Sequence, residues 1–262
     1  LFVNTFRTEK ELFLSMLILL ISGVVGGIFV LFQLYGIFIL PFDFSKSSSF
    51  NTLGSISQAA IFLAVLSLLS LFFAFKTKKP LFWILLLILL IFVILIDLNQ
   101  AWIVILTGSL ILMIFGLSSL SGRIRIGFGV FLMLLLTLSL FFIFFPLRFS
   151  GFPILPIEVS PGFVSEIEIL KGVYSESIKN IIFGSGPGTF IFDYSKYRSP
   201  LLNQTIFWGI RFSEGNTEFL NWFITNGLFG GISLLFFAGL MIYFGIKNLI
   251  SLEEPLTTRL LF

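Results

Sequence analysis

The chain has no cysteine and no histidine among its 262 residues, and only 11% of them are charged. Without cysteine there is no disulfide and no thiolate metal site. Without histidine, the usual general base near neutral pH and the commonest metal ligand are missing. The shortage of charge goes with 57% hydrophobic residues and a mean hydropathy of +1.10. That combination excludes a soluble globular domain and places the chain among polytopic membrane proteins. The net charge of +3 is spread over the ends of apolar runs and not gathered on one water-exposed face, so nucleic acid is excluded as a partner.

What remains is apolar sequence of spanning length. A hydrocarbon core of about 30 Å takes about 20 helical residues, and six runs approach or exceed that: Leu12 to Leu34, Ile56 to Phe75, Pro80 to Ile96, Ala101 to Leu120, Ile126 to Phe145 and Phe219 to Ile246. Stretches such as FWILLLILLIFVILI lack the alternation of a barrel strand, and lipid cannot satisfy an open backbone. The expected fold is all-α: a polytopic membrane helical bundle of about six spans, with one large, partly helical external loop. It divides into spans 1–5 at residues 1–146, a loop at 147–215, the sixth span at 216–246 and a cytoplasmic tail at 247–262.

Basic residues set the orientation. Of the 16, nine (Arg7, Lys10, Lys76, Lys78, Lys79, Arg123, Arg125, Lys247 and Arg259) fall on one side, and only Lys46 lies in the opposite short loops. The rich side is cytoplasmic by the positive-inside rule, so the loop at 147–215 faces outward. The chain opens on Leu1 with no cleavable leader pattern and stops soon after the sixth run, so it reads as a fragment with further spans expected upstream.

Local signals refine this plan. Asn51 or Ser55 is expected to cap the second helix. Asp97-Leu98-Asn99-Gln100 is a hairpin turn, with Asp97 and Trp102 near the outer interface, where Trp is usually an anchor. Gly23, Gly26, Gly27, Gly127 and Gly129 let helices approach closely. In the loop, Val164, Ile167, Leu170, Tyr174, Ile178 and Ile181 recur at three-to-four spacing, which predicts one amphipathic helix over Gly162 to Ile182 with Glu166, Glu168, Lys171, Glu176 and Lys179 on its polar face. The glycine-rich segment Gly184 to Gly188 lacks both the Lys of a P-loop and a βαβ setting, so it is not a nucleotide cradle.

Three segments taken together, IIFGSGPGTFIFDYSKYR, FWGIRF and NTEFLNWFITNGLFGGISLLFF, resemble the C-terminal half of the O-antigen ligase and O-antigen polymerase superfamily over Glu166 to Tyr243. In that family a large external loop joins two spanning helices, and the second begins with a His-Asn pair and a small-residue step. The step corresponds here to Asn226-Gly227-Leu228-Phe229-Gly230. Asn99-Gln100-Ala101-Trp102 with Gly108 is similar to a second family helix start. Two departures stand out: the family's loop-end His falls on Asn216, or on Gly215 if the gap is shifted, and an Arg falls on Asn99.

The resemblance implies transfer of a glycan from an undecaprenyl-diphosphate carrier to an acceptor hydroxyl on a glycan, lipid or protein, at the outer leaflet of the membrane lipid. No metal and no cofactor is implied. Departure of a lipid diphosphate builds negative charge that guanidinium groups can meet. Arg211 is therefore expected to be catalytic, with Arg148, Lys196 and Arg198 binding substrate. The acceptor hydroxyl needs a base or an orienting group. Glu218 is the first choice, beside Asn216 and with Glu214 and Asp193 as other carboxylates, because partial desolvation at the helix start would raise its pKa. The bland alternatives are interfacial bases that snorkel and an acid placed favourably at a helix N-terminus. A relative that binds lipid-linked glycan without turnover is the competing function. A transporter is disfavoured because no run carries a deep ionisable residue.

Overall fold

The computed structural model describes residues 8–119, 122–146, 152–156, 160–200, 204 and 208–250. Among them every regular element is a helix: α1 (Glu9–Leu34), α2 (Ile56–Thr77), α3 (Pro80–Ile96), α4 (Asn99–Phe115), α5 (Gly122–Phe144), α6 (Phe163–Glu176), α7 (Ile178–Phe183), α8 (Phe190–Tyr197) and α9 (Glu218–Ile250). Four are long and apolar enough to cross a membrane, within Lys10–Leu34, Ile56–Thr77, Gly122–Phe144 and Glu218–Lys247. Helices α3 and α4 are shorter, at 17 residues each, which gives about 26 Å of rise. The fourth run, expected to continue to Leu120, instead tightens into a 3-10 turn at Gly116–Ser119.

Local chemistry explains the helix ends. Ser55 caps α2 in a reciprocal box: Gln58 N–H donates to its Oγ at 3.1 Å, and its own N–H donates to Gln58 Oε1 at 3.0 Å. Asn51 instead closes a turn below it, accepting from Leu53 N–H at 2.9 Å. Lys78 ends α2 in the left-handed region, and Pro80 opens α3. Asp97 ends α3 the same way, which makes the second hairpin tighter than expected, because Asn99 and Gln100 already belong to α4.

The chain divides into two compact units, residues 1–158 with 248–262 and residues 159–247. The first holds α1 to α5 around a core of Leu63, Leu71, Phe82, Leu89, Ile105 and Phe128, all buried. Ser70 Oγ crosses from α2 to donate to the Phe82 carbonyl at 2.8 Å. Trp102 is not an interfacial anchor. It is fully buried, it stacks on Phe142 at 4.3 Å, and its Nε1–H donates to Asp97 Oδ1 at 2.8 Å. The half-buried carboxylate thus satisfies the one polar atom of a core aromatic.

Small residues let α1 close on its neighbours, where a Cβ on Gly27 would fall 2.3 Å from the Phe92 ring of α3. Gly27→Leu should therefore destabilise this unit by about 1–3 kcal/mol through overpacking, read by denaturant unfolding in detergent micelles. In a double-mutant cycle with Phe92→Leu the losses should be less than additive. Additive losses would mean that the two positions do not touch.

Candidate functional site

The second unit is built on a break in its longest helix. Gly227 in α9 sits at φ 65° and ψ −165°, outside helical geometry, a conformation that glycine reaches without penalty. In an unbroken helix the carbonyls of Phe223, Ile224 and Thr225 would be bonded by amides four residues on. Here each has a donor from outside the helix. Tyr174 Oη–H reaches the Phe223 carbonyl at 3.0 Å, Ser185 N–H the Ile224 carbonyl at 3.2 Å and Gly186 N–H the Thr225 carbonyl at 2.8 Å.

The glycine-rich turn is thus a backbone clasp. Gly184, at φ 72°, lies so close that a Cβ there would be 2.4 Å from the Thr225 carbonyl, and one on Gly227 would be 2.4 Å from Gly184 N. No side chain fits at either position.

The expected single helix over Gly162 to Ile182 is two. Ser177 is extended, at φ −162° and ψ 155°, and its side chain caps α7 by accepting from Asn180 N–H at 3.1 Å. The buried face of α6 is also rotated from the expected stripe. It consists of Glu166, Ile169 and Val173, packed with Phe190, Tyr194 and Ile224, whereas Val164 and Ile178 are exposed.

Glu166, expected on the polar face, is fully buried. Its carboxylate accepts from the backbone N–H of Asn216, from Thr217 N–H at 3.2 Å and from Thr217 Oγ1 at 2.6 Å. A buried carboxylate is tolerated only with such donors. It fixes the start of α9 where that helix leaves its first amides without internal partners.

Asp193 on α8 is the second buried acid. Its Oδ2 accepts from Ser185 Oγ at 2.5 Å and Thr189 Oγ1 at 3.2 Å. Burial raises its pKa above the ordinary carboxylate value, and the two hydroxyls pull the other way. Glu176 does the opposite at the surface: bonds from Lys196 and Tyr197 lower its pKa, and the same pairing raises that of Lys196.

The residues expected to do chemistry fall into distinct settings. Arg211 is exposed and has no polar partner among the described residues. Glu218, the first residue of α9, is exposed as well, not partly desolvated, and takes only a 3.5 Å bond from Asn221. Arg211 and Glu218 form no ion pair with each other. Arg198 donates to the Trp208 carbonyl at 2.7 Å, tying α8 to the segment that carries Arg211. Lys196 is committed to Glu176. Asn216 Oδ1 accepts from Ser160 Oγ at 3.0 Å, and Glu214 is exposed. Arg148 lies outside the described residues. Sequence reasoning missed Glu166, although a signal existed, since it stands three and seven residues before the buried Ile169 and Val173. Among the described residues no group of three acids forms a metal site.

Comparison with protein-family models, curated proteins and solved structures finds no match.

The raised pKa of Asp193 makes the clasp sensitive to pH. Its stabilising contribution is complete below the ordinary carboxylate value and is lost as pH rises through the raised one. The clasp should therefore hold more firmly in mild acid than at higher pH, and Asp193→Asn should flatten that dependence. Amide hydrogen exchange at Gly186 across the acid range measures it, and an unchanged pH profile in the variant would exclude Asp193 as the source.

Proposed function

We propose that the chain is a membrane glycosyltransferase of the O-antigen ligase and polymerase type. In this reading six helices span the inner membrane and the 147–215 segment faces outward. A glycan passes from an undecaprenyl-diphosphate carrier to an acceptor hydroxyl. The observation that carries the reading is the setting of Arg211: an exposed guanidinium with no polar partner among the described residues, on a short segment between the Trp208 carbonyl held by Arg198 and the α9 start held by Glu166. Both neighbours are anchored, so the backbone that carries the guanidinium is positioned while its side chain stays free to meet an anion.

A diphosphate leaving group is what such a cation serves. As the sugar–oxygen bond breaks, the bonding pair passes to the diphosphate, and a guanidinium stabilises that charge with paired hydrogen bonds at any physiological pH. The acceptor oxygen forms the new bond and gives up its proton, for which the exposed carboxylate of Glu218 is the nearest acid in sequence to Arg211 apart from Glu214. Arg198 acts here as a positioning residue through the Trp208 carbonyl.

One observation favours the second reading, a relative that binds the carrier without turnover. Asn216, where the family's His falls, spends its Oδ1 on Ser160 and its N–H on Glu166, so it is occupied in holding the fold and is no base. Arg211→Ala in the complete protein should reduce glycan transfer by about 100-fold or more, the usual loss when one charge-stabilising donor is removed. Undiminished transfer would remove Arg211 from the reaction, and carrier binding with no product in the unaltered protein would select the second reading.

Orientation has its own test, which the absence of cysteine makes direct. Glu214→Cys should react with a membrane-impermeant maleimide added to intact cells, and Lys78→Cys should react only after permeabilisation. The reverse pattern would place the clasped segment inside the cell.

A further inference from the structure

The first unit carries a small basic cavity that the proposed reaction does not use. It measures about 250 Å³ and is lined by Ala74, Phe75 and Lys78 of the α2 end, Trp83 of α3, and Arg123 and Ile124 of α5. Its two lining rings belong to an aromatic cluster: Phe75 meets Trp83 at 4.9 Å and Phe128 at 5.2 Å, and Trp83 meets Phe131 at 5.8 Å. No carboxylate lines it among the described residues.

Its two cations differ from their neighbours. Lys79 lies over the Phe13 ring at 4.5 Å and Lys76 over Phe72 at 5.3 Å. Lys78 and Arg123 have neither a ring nor an acid among the described residues. Lys78 is also held at φ 57°, in a helix-ending position that glycine normally fills. A lysine kept at that backbone cost points to a use for its side chain.

We propose that this cavity binds the phosphodiester headgroup of an anionic glycerophospholipid such as phosphatidylglycerol. The two cations meet the phosphate, while the apolar and aromatic wall accepts the glycerol backbone and the first acyl carbons. A free anion would gain nothing from that wall. The cavity is smaller than an ordinary ligand pocket, which suits one headgroup. It stands at the ends of apolar helices, where basic residues are expected to meet a charged membrane surface, and its Trp83, partly exposed, is of the residue type enriched at that interface.

The test places the full chain in nanodiscs containing brominated phosphatidylglycerol or brominated phosphatidylcholine. Emission from Trp83 is isolated as the difference from Trp83→Phe. Quenching should occur at a mole fraction on the order of tenfold lower for the anionic lipid, as expected for two surface cations. Lys78→Gln with Arg123→Gln should abolish that preference. Lys78→Arg with Arg123→Lys, and separately Lys76→Gln, should keep it. Equal quenching by the two lipids, or an unchanged preference in the double glutamine variant, would overturn the proposal. So would recovery of emission on adding millimolar inorganic phosphate, which would assign the cavity to a free anion.

Discussion

A backbone carbonyl without a donor is costly anywhere that water is scarce, and in hydrocarbon it costs several kcal/mol. A long apolar helix interrupted at Gly227 raises that problem for three consecutive carbonyls, and the second unit is organised around answering it. Tyr174, Ser185 and Gly186 each bring a donor. To do so the Tyr174 side chain must reach from α6 to α9 and the chain must turn sharply at Gly184. The glycines at both contact points follow from the same need, since two backbones meet there with no room for a methyl group.

Glu166 supplies the complementary interaction at the other end of the clasped stretch, acceptor to amides where the turn is donor to carbonyls. Between the two, the first three turns of α9 are held by their own main-chain groups. The side chains of Glu166, Thr217 and Tyr174 complete that hold, while Arg211, Glu214 and Glu218 stay exposed. A cation beside the clasped stretch, on an anchored length of backbone and with no competing partner among the described residues, is available to an arriving anion, and that is the physical basis of the glycosyltransferase reading.

Much of the architecture was legible in the apolar runs, because lipid allows only helices or a closed barrel and the missing alternation excludes the barrel. The start of α2 could be narrowed to Asn51 or Ser55, and the reciprocal pairing with Gln58 made the choice. Trp102 was misplaced because its neighbourhood in sequence looks like an interface, whereas its burial depends on Phe142, forty residues away. The break at Ser177 was hidden by an apolar periodicity that runs through it, and Ser177 as the cap of α7 is a signal visible only once a break is considered. Glu166 was assigned to water by residue type, although the buried face of its helix runs through it. Burial of an acid is decided by donors on another element, and neither composition nor spacing shows them.

The connection from Glu166 to Thr217 has a consequence for synthesis. At about 5–20 residues per second, the acid leaves the ribosome about 3–10 s before its partners some fifty residues later. During that interval the Glu166 carboxylate is without the amides that receive it, although Phe190 and Tyr194, which pack on the same face of α6, are made earlier. The carboxylate of Glu166 therefore reaches its buried state only once the start of α9 has been made.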